Sequence, residues 1–227
     1  MFVSRRTSRE ASGQMNREMN REMSRESRAG HPVPLAARIL YTAWMLAWVP
    51  LILAAAGAQN FWWLCNCALF IVLVATWFPS PLLISSQAGT VTVVGLVWAA
   101  DLAAGLVIGD SPTGITAYMF EPALPLIQRL ASLYHLWFPI YAVWLCRRQG
   151  YDDRGPWLQC VIGSLAIVGG WWFGDPVRNL NYTQAPFGIE QTWLPDAVYL
   201  PLLCVATAAA LYWPGHRVVR WVLARLG

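Results

Sequence analysis

Three side chains capable of chemistry lie within apolar stretches of the chain: a thiol, a carboxylate and an imidazole. Asp101 lies inside the apolar run 91–108, Cys65 stands near the start of another run, and His135 lies deep in a third. A carboxylate at the centre of a bilayer costs roughly 2.5 to 3.5 kcal/mol on insertion scales, so it is rarely kept without a partner or a function. Together the three groups are the parts of a nucleophile, a general base and an orienting acid.

The composition is that of a polytopic membrane protein. Hydrophobic residues make up 57% of the 227 residues and charged residues only 12%, whereas about 25% of residues are charged in an average soluble domain. The net charge of +4 does not indicate a nucleic-acid partner, because half of the arginines precede or begin the first apolar run. We expect membrane lipids as partners, with no nucleic acid, no metal and no cofactor. The sequence does not identify protein partners.

Apolar segments long enough to cross a hydrocarbon core of about 30 Å recur along the chain. Helices are the expected form, because unpaired backbone groups cannot face lipid. The sequence therefore predicts an all-α bundle of six transmembrane helices, occupying residues 34–213. The six spans are placed at 36–58, 61–78, 82–108, 125–146, 157–173 and 194–213.

The distribution of arginine predicts the orientation of the spans. If there are six, fourteen of the 16 basic residues lie on one side, and only Arg129 and Arg178 lie on the other. By the positive-inside rule, the first side is cytoplasmic and holds both termini. The arginine-only basic content and the lack of sorting signals favour the plasma membrane of a bacterium.

The two ends of the chain differ from the spans between them. Residues 1–33 contain a four-residue repeat around Met15 and little apolar surface, which predicts a disordered, arginine-rich tail. A later methionine as the true start is an alternative. Residues 214–227 set Arg217 and Arg220 against valines, which predicts a short basic helix lying in the membrane interface.

Helical spacing places the candidate residues on faces that point into the bundle. At 1.5 Å per residue, Cys65 lies about 6 Å, Asp101 about 10 Å and His135 about 10 to 15 Å below the outer ends of their spans, so all three share one layer. The polar or small stripes are Gln87, Thr90, Val94, Trp98, Asp101 and Gly105 in the third span, and Gln128, Ser132, His135 and Pro139 in the fourth.

Within this layer the residue types suggest a division of roles. Cys65 would attack an acyl carbonyl presented from the outer leaflet, His135 would remove the thiol proton, and Asp101 would fix the imidazole tautomer. A loop of about 20 residues, 175–195, would lie over the site, and loops of that length often form lids or binding elements. The expected substrate contacts are Asn66, Ser132, Gln128, Arg178 and Asn181.

Two other functions fit the same residues. Asp101 and His135 could hydrogen-bond to each other and hold two helices together, a contact worth about 0.6 kcal/mol in membranes, while Cys65 stays inert. The protein would then bind lipid or pack against a partner without catalysis. Proton-coupled transport, with Asp101 and His135 as a relay, is the third possibility.

The segment Trp63-Leu-Cys65-Asn66-Cys-Ala-Leu-Phe70 resembles a pattern in bacterial YwaF-type integral membrane proteins, although Trp63 stands where that pattern has a histidine. More distantly, it resembles the eukaryotic androgen-induced membrane hydrolases of fatty-acid esters and a related transmembrane phospholipid acyltransferase. The resemblance implies a lipid-directed acyl hydrolase or acyltransferase, with Cys65 as nucleophile and His135, within Leu133-Tyr-His135-Leu-Trp-Phe-Pro139, as its base. The whole chain also looks like uncharacterised bacterial six-span integral membrane proteins.

Overall fold

The computed structural model of the protein describes residues 32–226, so most of the predicted N-terminal tail lies outside the described residues. Within that range the chain is helical and contains no strand, as the fold class predicted. The α-helices are α1 (Leu35–Ala56), α2 (Leu64–Trp77), α3 (Pro81–Ile108), α4 (Leu126–Leu130), α5 (Tyr134–Gln149), α6 (Gly155–Phe173), α7 (Asp196–Thr207) and α8 (Trp213–Leu226).

Four helical segments are long and apolar enough to cross a membrane, which indicates an integral membrane protein. They are α1, α3, α6 and the continuous helix Asp196–Leu226. By contrast, α2 has 14 residues and α5 has 16, which give lengths of only about 21 and 24 Å. A short α4 and a 3-10 turn precede α5 and lengthen it on one side. Six spans and cytoplasmic termini therefore stay predictions.

The connections gather at two ends of the bundle, named here the distal and the proximal end. The distal end carries loops 109–125 and 174–195. In the second loop, the Asn181 side chain accepts a hydrogen bond from the Leu64 amide at the start of α2, at 3.0 Å. At the proximal end, the buried Gln149 side chain donates to the Ala75 carbonyl at 2.9 Å and accepts from the Ser80 amide at 3.0 Å. A single glutamine thus ties the end of α5 to the turn between α2 and α3.

The proximal half of α3 is the centre of the bundle. Every residue from 84 to 92 is buried, because α2, α5, α6 and α8 pack around it. This buried stretch is rich in polar residues, including Gln87 and Thr90, whereas leucines and isoleucines such as Leu40 and Ile140 are exposed on the outer surface. Apolar groups outside and polar groups inside suit a protein surrounded by lipid.

The C-terminal helix is longer than the separate segment predicted for residues 214–227. Helix α7 continues through a π-helical turn, Ala208–Tyr212, directly into α8. Gly215 lies against the backbone of Gly89, so closely that a Cβ on Gly215 would collide with the Gly89 carbonyl oxygen. Val219 is fully buried. One face of α8 therefore packs on α3, and the placement of this segment in the membrane interface stays a prediction.

Candidate functional site

Asp101 is held by the loop that follows its own helix. One carboxylate oxygen, Oδ2, accepts hydrogen bonds from the Ser111 hydroxyl at 2.5 Å and from the Thr116 amide and hydroxyl at 2.9 and 2.5 Å. The other oxygen, Oδ1, accepts from the Thr113 amide and hydroxyl at 3.0 and 2.7 Å. Asp101 is only 4% exposed, and a buried carboxylate is stable when hydrogen bonds replace its water. These five bonds fold residues 111–116 back over the end of α3.

The imidazole of His135 has a local partner. Its Nδ1 lies 2.8 Å from the Ser132 carbonyl oxygen, and because a carbonyl can only accept, Nδ1 carries the proton in this contact. The ring stacks on Trp98 with the ring centres 5.0 Å apart, and on Tyr134 with the centres 4.1 Å apart. The backbone of its own turn, together with two aromatic neighbours, therefore sets the orientation of this histidine.

The predicted partnership of Asp101 with His135 is not formed. Among residues 32–226 no hydrogen bond joins the two side chains: the carboxylate is occupied by the loop, and Nδ1 by Ser132. Trp98, one turn before Asp101 on α3, provides the face that stacks on the imidazole. Asp101 therefore does not hydrogen-bond to the ring in this structure, and its role as the acid of a catalytic triad stays a prediction.

Cys65 stands in the first turn of α2 and is half-buried. Its Sγ lies 3.9 Å from the side-chain oxygen of Asn66. That oxygen also accepts a 2.5 Å hydrogen bond from the Tyr134 hydroxyl, and the Asn66 amide group donates to the Asn60 carbonyl at 2.8 Å. Within the described part of the chain, no hydrogen bond links the thiol to His135. Asn66, for which substrate binding stays a prediction, joins α2 to α5 through Tyr134.

Tyr134 is the residue that sequence reasoning missed. It bonds to Asn66 beside the thiol through its hydroxyl and stacks on His135 through its ring. It therefore stands between the two groups predicted to react. The only signal was its position in the motif that contains His135, since nothing in the helical stripe of α5 included it.

Asn181 also joins elements together. Its side-chain oxygen accepts from the Leu64 amide, and its side-chain amide donates to the Trp62 carbonyl at 2.8 Å. Asn181 is buried and adopts the left-handed backbone conformation, with φ of 52°. Loop 174–195 is thereby fastened over the beginning of α2, next to Cys65. The other predicted loop contact, Arg178, is exposed.

A half-buried tyrosine, Tyr118, in the other distal loop completes this layer. The Tyr118 hydroxyl accepts a hydrogen bond from the Trp98 indole nitrogen at 2.9 Å. Burial raises the pKa of the Tyr118 phenol, which stays protonated at neutral pH. Two further predicted contacts, Gln128 and Ser132, are half-buried near the start of the α4–α5 segment. The distal end of the bundle thus contains stacked aromatic rings joined by hydrogen bonds, and the buried Asp101 carboxylate has hydrogen-bond partners for both oxygens.

Metal chemistry finds no ligand set in residues 32–226, where no group of three or more histidine, cysteine or acidic side chains converges. The Cys67 thiol, close in sequence to Cys65, donates to the Phe61 carbonyl at 3.1 Å. Comparison of the chain with protein-family models, curated proteins and solved structures gives no match. The assignment of function therefore depends on the geometry of the distal end.

Proposed function

We propose that the protein is a non-catalytic, multi-pass membrane protein whose distal end binds lipid. The observation that carries this proposal is the state of Asp101, whose two oxygens receive five hydrogen bonds from one loop. A general base needs a nucleophile within hydrogen-bond reach and a group that orients its ring. The group that orients His135 is the Ser132 carbonyl, and no hydrogen bond among residues 32–226 joins the ring to Cys65. We therefore attribute a structural role to the distal polar residues, which hold loops and helices together.

The fastened loop 174–195 presents a surface suited to lipid. Four of its apolar side chains point outward: Val177 at 90% exposure, Phe187 at 91%, and Ile189 and Trp193 above 60%. We call these four residues the apolar loop surface. Exposed apolar clusters on a structured loop commonly mark a contact with a membrane or a partner.

Rigidity distinguishes this surface from an ordinary loop. The Asn179 side-chain oxygen accepts from the amides of Gln184 and Ala185 at 3.0 and 2.8 Å, and the Tyr199 hydroxyl donates to the Tyr182 carbonyl at 2.6 Å. Tyr182 and Phe187 both have positive φ, 65° and 53°, and a non-glycine residue in that region costs of order 1–3 kcal/mol. Strain of this kind persists where the surroundings hold the backbone in place.

Lipid is the occupant that the neighbouring surface favours. The apolar loop surface adjoins the distal ends of α6 and α7, where Trp172, Phe173 and Val198 are exposed. Tryptophan is enriched at membrane interfaces because its ring is apolar and its nitrogen polar. The acidic and basic residues of the loop are mixed, with Asp175, Arg178 and Glu190 all present, so we expect binding to zwitterionic lipid without a requirement for anionic lipid.

Photocrosslinking in liposomes tests this function. p-Benzoylphenylalanine would replace Phe187 in the full chain, reconstituted in phosphatidylcholine and irradiated, and the intact mass would be measured. We expect a phospholipid adduct, and a lower yield when the same group replaces Glu190, an exposed charged residue of the same loop. Failure to form any lipid adduct at position 187 would refute lipid binding by this surface.

Acyl transfer at Cys65 is the competing function, and one observation favours it. Cys65 is half-buried as a residue, and Nε2 of His135 is the ring nitrogen that the Ser132 contact does not engage. A movement that brought Nε2 to the sulfur would restore the predicted pair. Hydrolysis of a short-chain thioester or ester by the purified protein, lost in Cys65→Ala, would support this function over the first.

A further inference from the structure

A second group of polar side chains lies deep in the bundle, away from the distal end. It consists of Gln87 and Thr90 on α3, Gln159 on α6 and Tyr212 at the end of the π-helical turn, and we call it the inner polar cluster. All four residues are at most 2% exposed. The Gln87 side-chain amide donates to Gln159 at 2.8 Å and to the Ser86 hydroxyl at 2.8 Å.

Each member of the cluster has a polar atom with no hydrogen-bond partner among residues 32–226. These atoms are Gln87 Oε1, Gln159 Nε2, Thr90 Oγ1 and the Tyr212 hydroxyl. Leaving a buried polar group unpaired is unfavourable, and the lipid around the bundle offers no alternative partner. Four such atoms in one region of the core are therefore better explained by a bound molecule than by four separate penalties.

The backbone is shaped to bring Tyr212 into this region. A π-helical turn inserts an extra residue into a helix and frequently occurs at functional sites. Here the turn spans Ala208–Tyr212 and directs the tyrosine onto Gly163 of α6. A Cβ at position 163 would collide with the tyrosine hydroxyl, so glycine is required for this approach.

The two α6 residues of this region lie on one face of that helix. Gly163 and Gln159 are four residues apart, which corresponds to about 6 Å along the axis. The Tyr212 hydroxyl rests on the first, and the unpartnered amide nitrogen belongs to the second, so the phenol and the amide lie in the same part of the core. A molecule bound here must be very small, because all four residues of the cluster are almost fully buried.

The chemistry of the cluster selects a neutral molecule that both donates and accepts. The unpartnered atoms are one amide oxygen, one amide nitrogen and two hydroxyls, and the cluster itself contains no ionisable acid or base other than the phenol. Buried water typically makes about three hydrogen bonds to otherwise unsatisfied groups. We propose that the inner polar cluster is a binding site for ordered water inside the helical bundle, independent of the lipid surface at the distal end.

Radiolytic labelling with ¹⁸O water tests the site on the full chain in detergent. Water bound beside a side chain generates hydroxyl radicals locally, so the Tyr212 peptide should become oxidised although the residue is buried. Tyr41 is the matched control, because it is equally buried and its hydroxyl donates to the Leu69 carbonyl at 2.8 Å. We expect labelling of Tyr212 at several times the rate of Tyr41. Equal, low labelling of both would overturn the proposal.

Tyr212→Phe gives a second, independent measurement. If water is bound to the hydroxyl, its removal should lower the apparent Tm by about 2 to 4 °C, a shift like that of Tyr41→Phe, which loses a hydrogen bond to protein. If the hydroxyl has no partner, Tyr212→Phe should leave the Tm unchanged or raise it, which would contradict the proposal. Should the variant fail to fold, the labelling of the parent protein decides.

Discussion

Buried polar side chains in the two halves of α3 differ in whether the protein supplies their hydrogen-bond partners. At the distal half, Asp101 accepts five hydrogen bonds from the loop that follows it. At the proximal half, Gln87 and Thr90 each keep a polar atom unpaired by protein. Both sets lie on the stripe that the sequence places on one helical face, and both are buried.

This difference shows that burial and polarity alone do not identify a reactive residue. The Asp101 carboxylate is chemically the stronger candidate for a reactive group. It nevertheless holds loop 109–125 on the end of α3, because that loop supplies donors to both of its oxygens. The neutral amide and hydroxyl groups, which are chemically mild, are the ones left with binding capacity. Substitutions of the distal polar residues should therefore lower stability by releasing loops. Substitutions in the inner polar cluster should lower it by disturbing core packing or by displacing bound water.

Asp101→Asn should produce the largest effect. The amide removes the negative charge and directs its two N–H groups at either the Thr113 or the Thr116 backbone amide, which can only donate. Hydrogen bonds to a charged group contribute about 1.5–3 kcal/mol each. We expect a loss of about 3 kcal/mol or more in the free energy of unfolding, measured by denaturant titration in mixed detergent micelles. Loop 109–125 should also be cut sooner in limited proteolysis.

Glu190→Gln is the control for this experiment, because that residue is exposed on the other distal loop. Its free energy of unfolding should match that of the parent within about 0.5 kcal/mol. Equal stability of the parent and Asp101→Asn would contradict the fastening role.

Asn181→Ala should cost about 2 kcal/mol, because it removes the bonds that join loop 174–195 to α2 and leaves the Leu64 amide unpaired. Asn181→Gly is the matched variant, since glycine accepts the positive φ without strain. Both variants should alkylate faster at Cys65 with iodoacetamide, read by peptide mass spectrometry. An unchanged rate in both would mean that the loop does not cover the thiol.

Gly163→Ala tests the contact of α6 with the Tyr212 hydroxyl in the proximal half of the bundle. The added methyl group collides with the Tyr212 hydroxyl, and overpacking of a core typically costs about 1–3 kcal/mol. Combining it with Tyr212→Phe should recover part of that loss, because the colliding oxygen is gone. Strictly additive effects in this double-mutant cycle, followed by thermal unfolding, would argue against direct contact.

His135→Gln should have the smallest effect. The glutamine loses the stacking on Trp98 and Tyr134 and one hydrogen bond to the Ser132 carbonyl, for which we expect a cost of about 1 kcal/mol. The near-ultraviolet circular dichroism of the aromatic cluster should decrease slightly. A decrease in the free energy of unfolding as large as that of Asp101→Asn would show that His135 also holds the distal end together.

Much of the fold could be predicted from periodicity, and much of the site could not. The helical stripe of α3 correctly predicted that Gln87, Thr90, Trp98 and Asp101 face inward, because side chains three and four residues apart share a face. The partners of Asp101 lie 10 to 15 residues further along the chain, in a loop whose return path no periodic pattern records. For that reason the partners of Asp101 were not anticipated, and the catalytic roles predicted for Asp101 and His135 stay predictions.

Close helix contacts were equally hidden from the sequence. The sequence of residues 214–227 predicts a separate interfacial segment, whereas Gly215 lies where the continuous last helix touches Gly89. The contact of Gly163 with Tyr212 depends on a π-helical turn, which an ideal helical period cannot anticipate. Small residues allow close approach in membranes, but their sequence positions do not name the partner.

If the distal polar residues hold the structure together and do not catalyse a reaction, Cys65 should react equally fast with and without His135. The measurement is the alkylation rate of Cys65 by iodoacetamide in the parent and in His135→Gln. We predict rates that agree within about twofold, because the imidazole does not activate the thiol, with Cys67 as the internal reference. A tenfold or greater decrease in His135→Gln, with the Cys67 rate unchanged, would show that His135 acts as the base of Cys65 and would contradict a purely structural role.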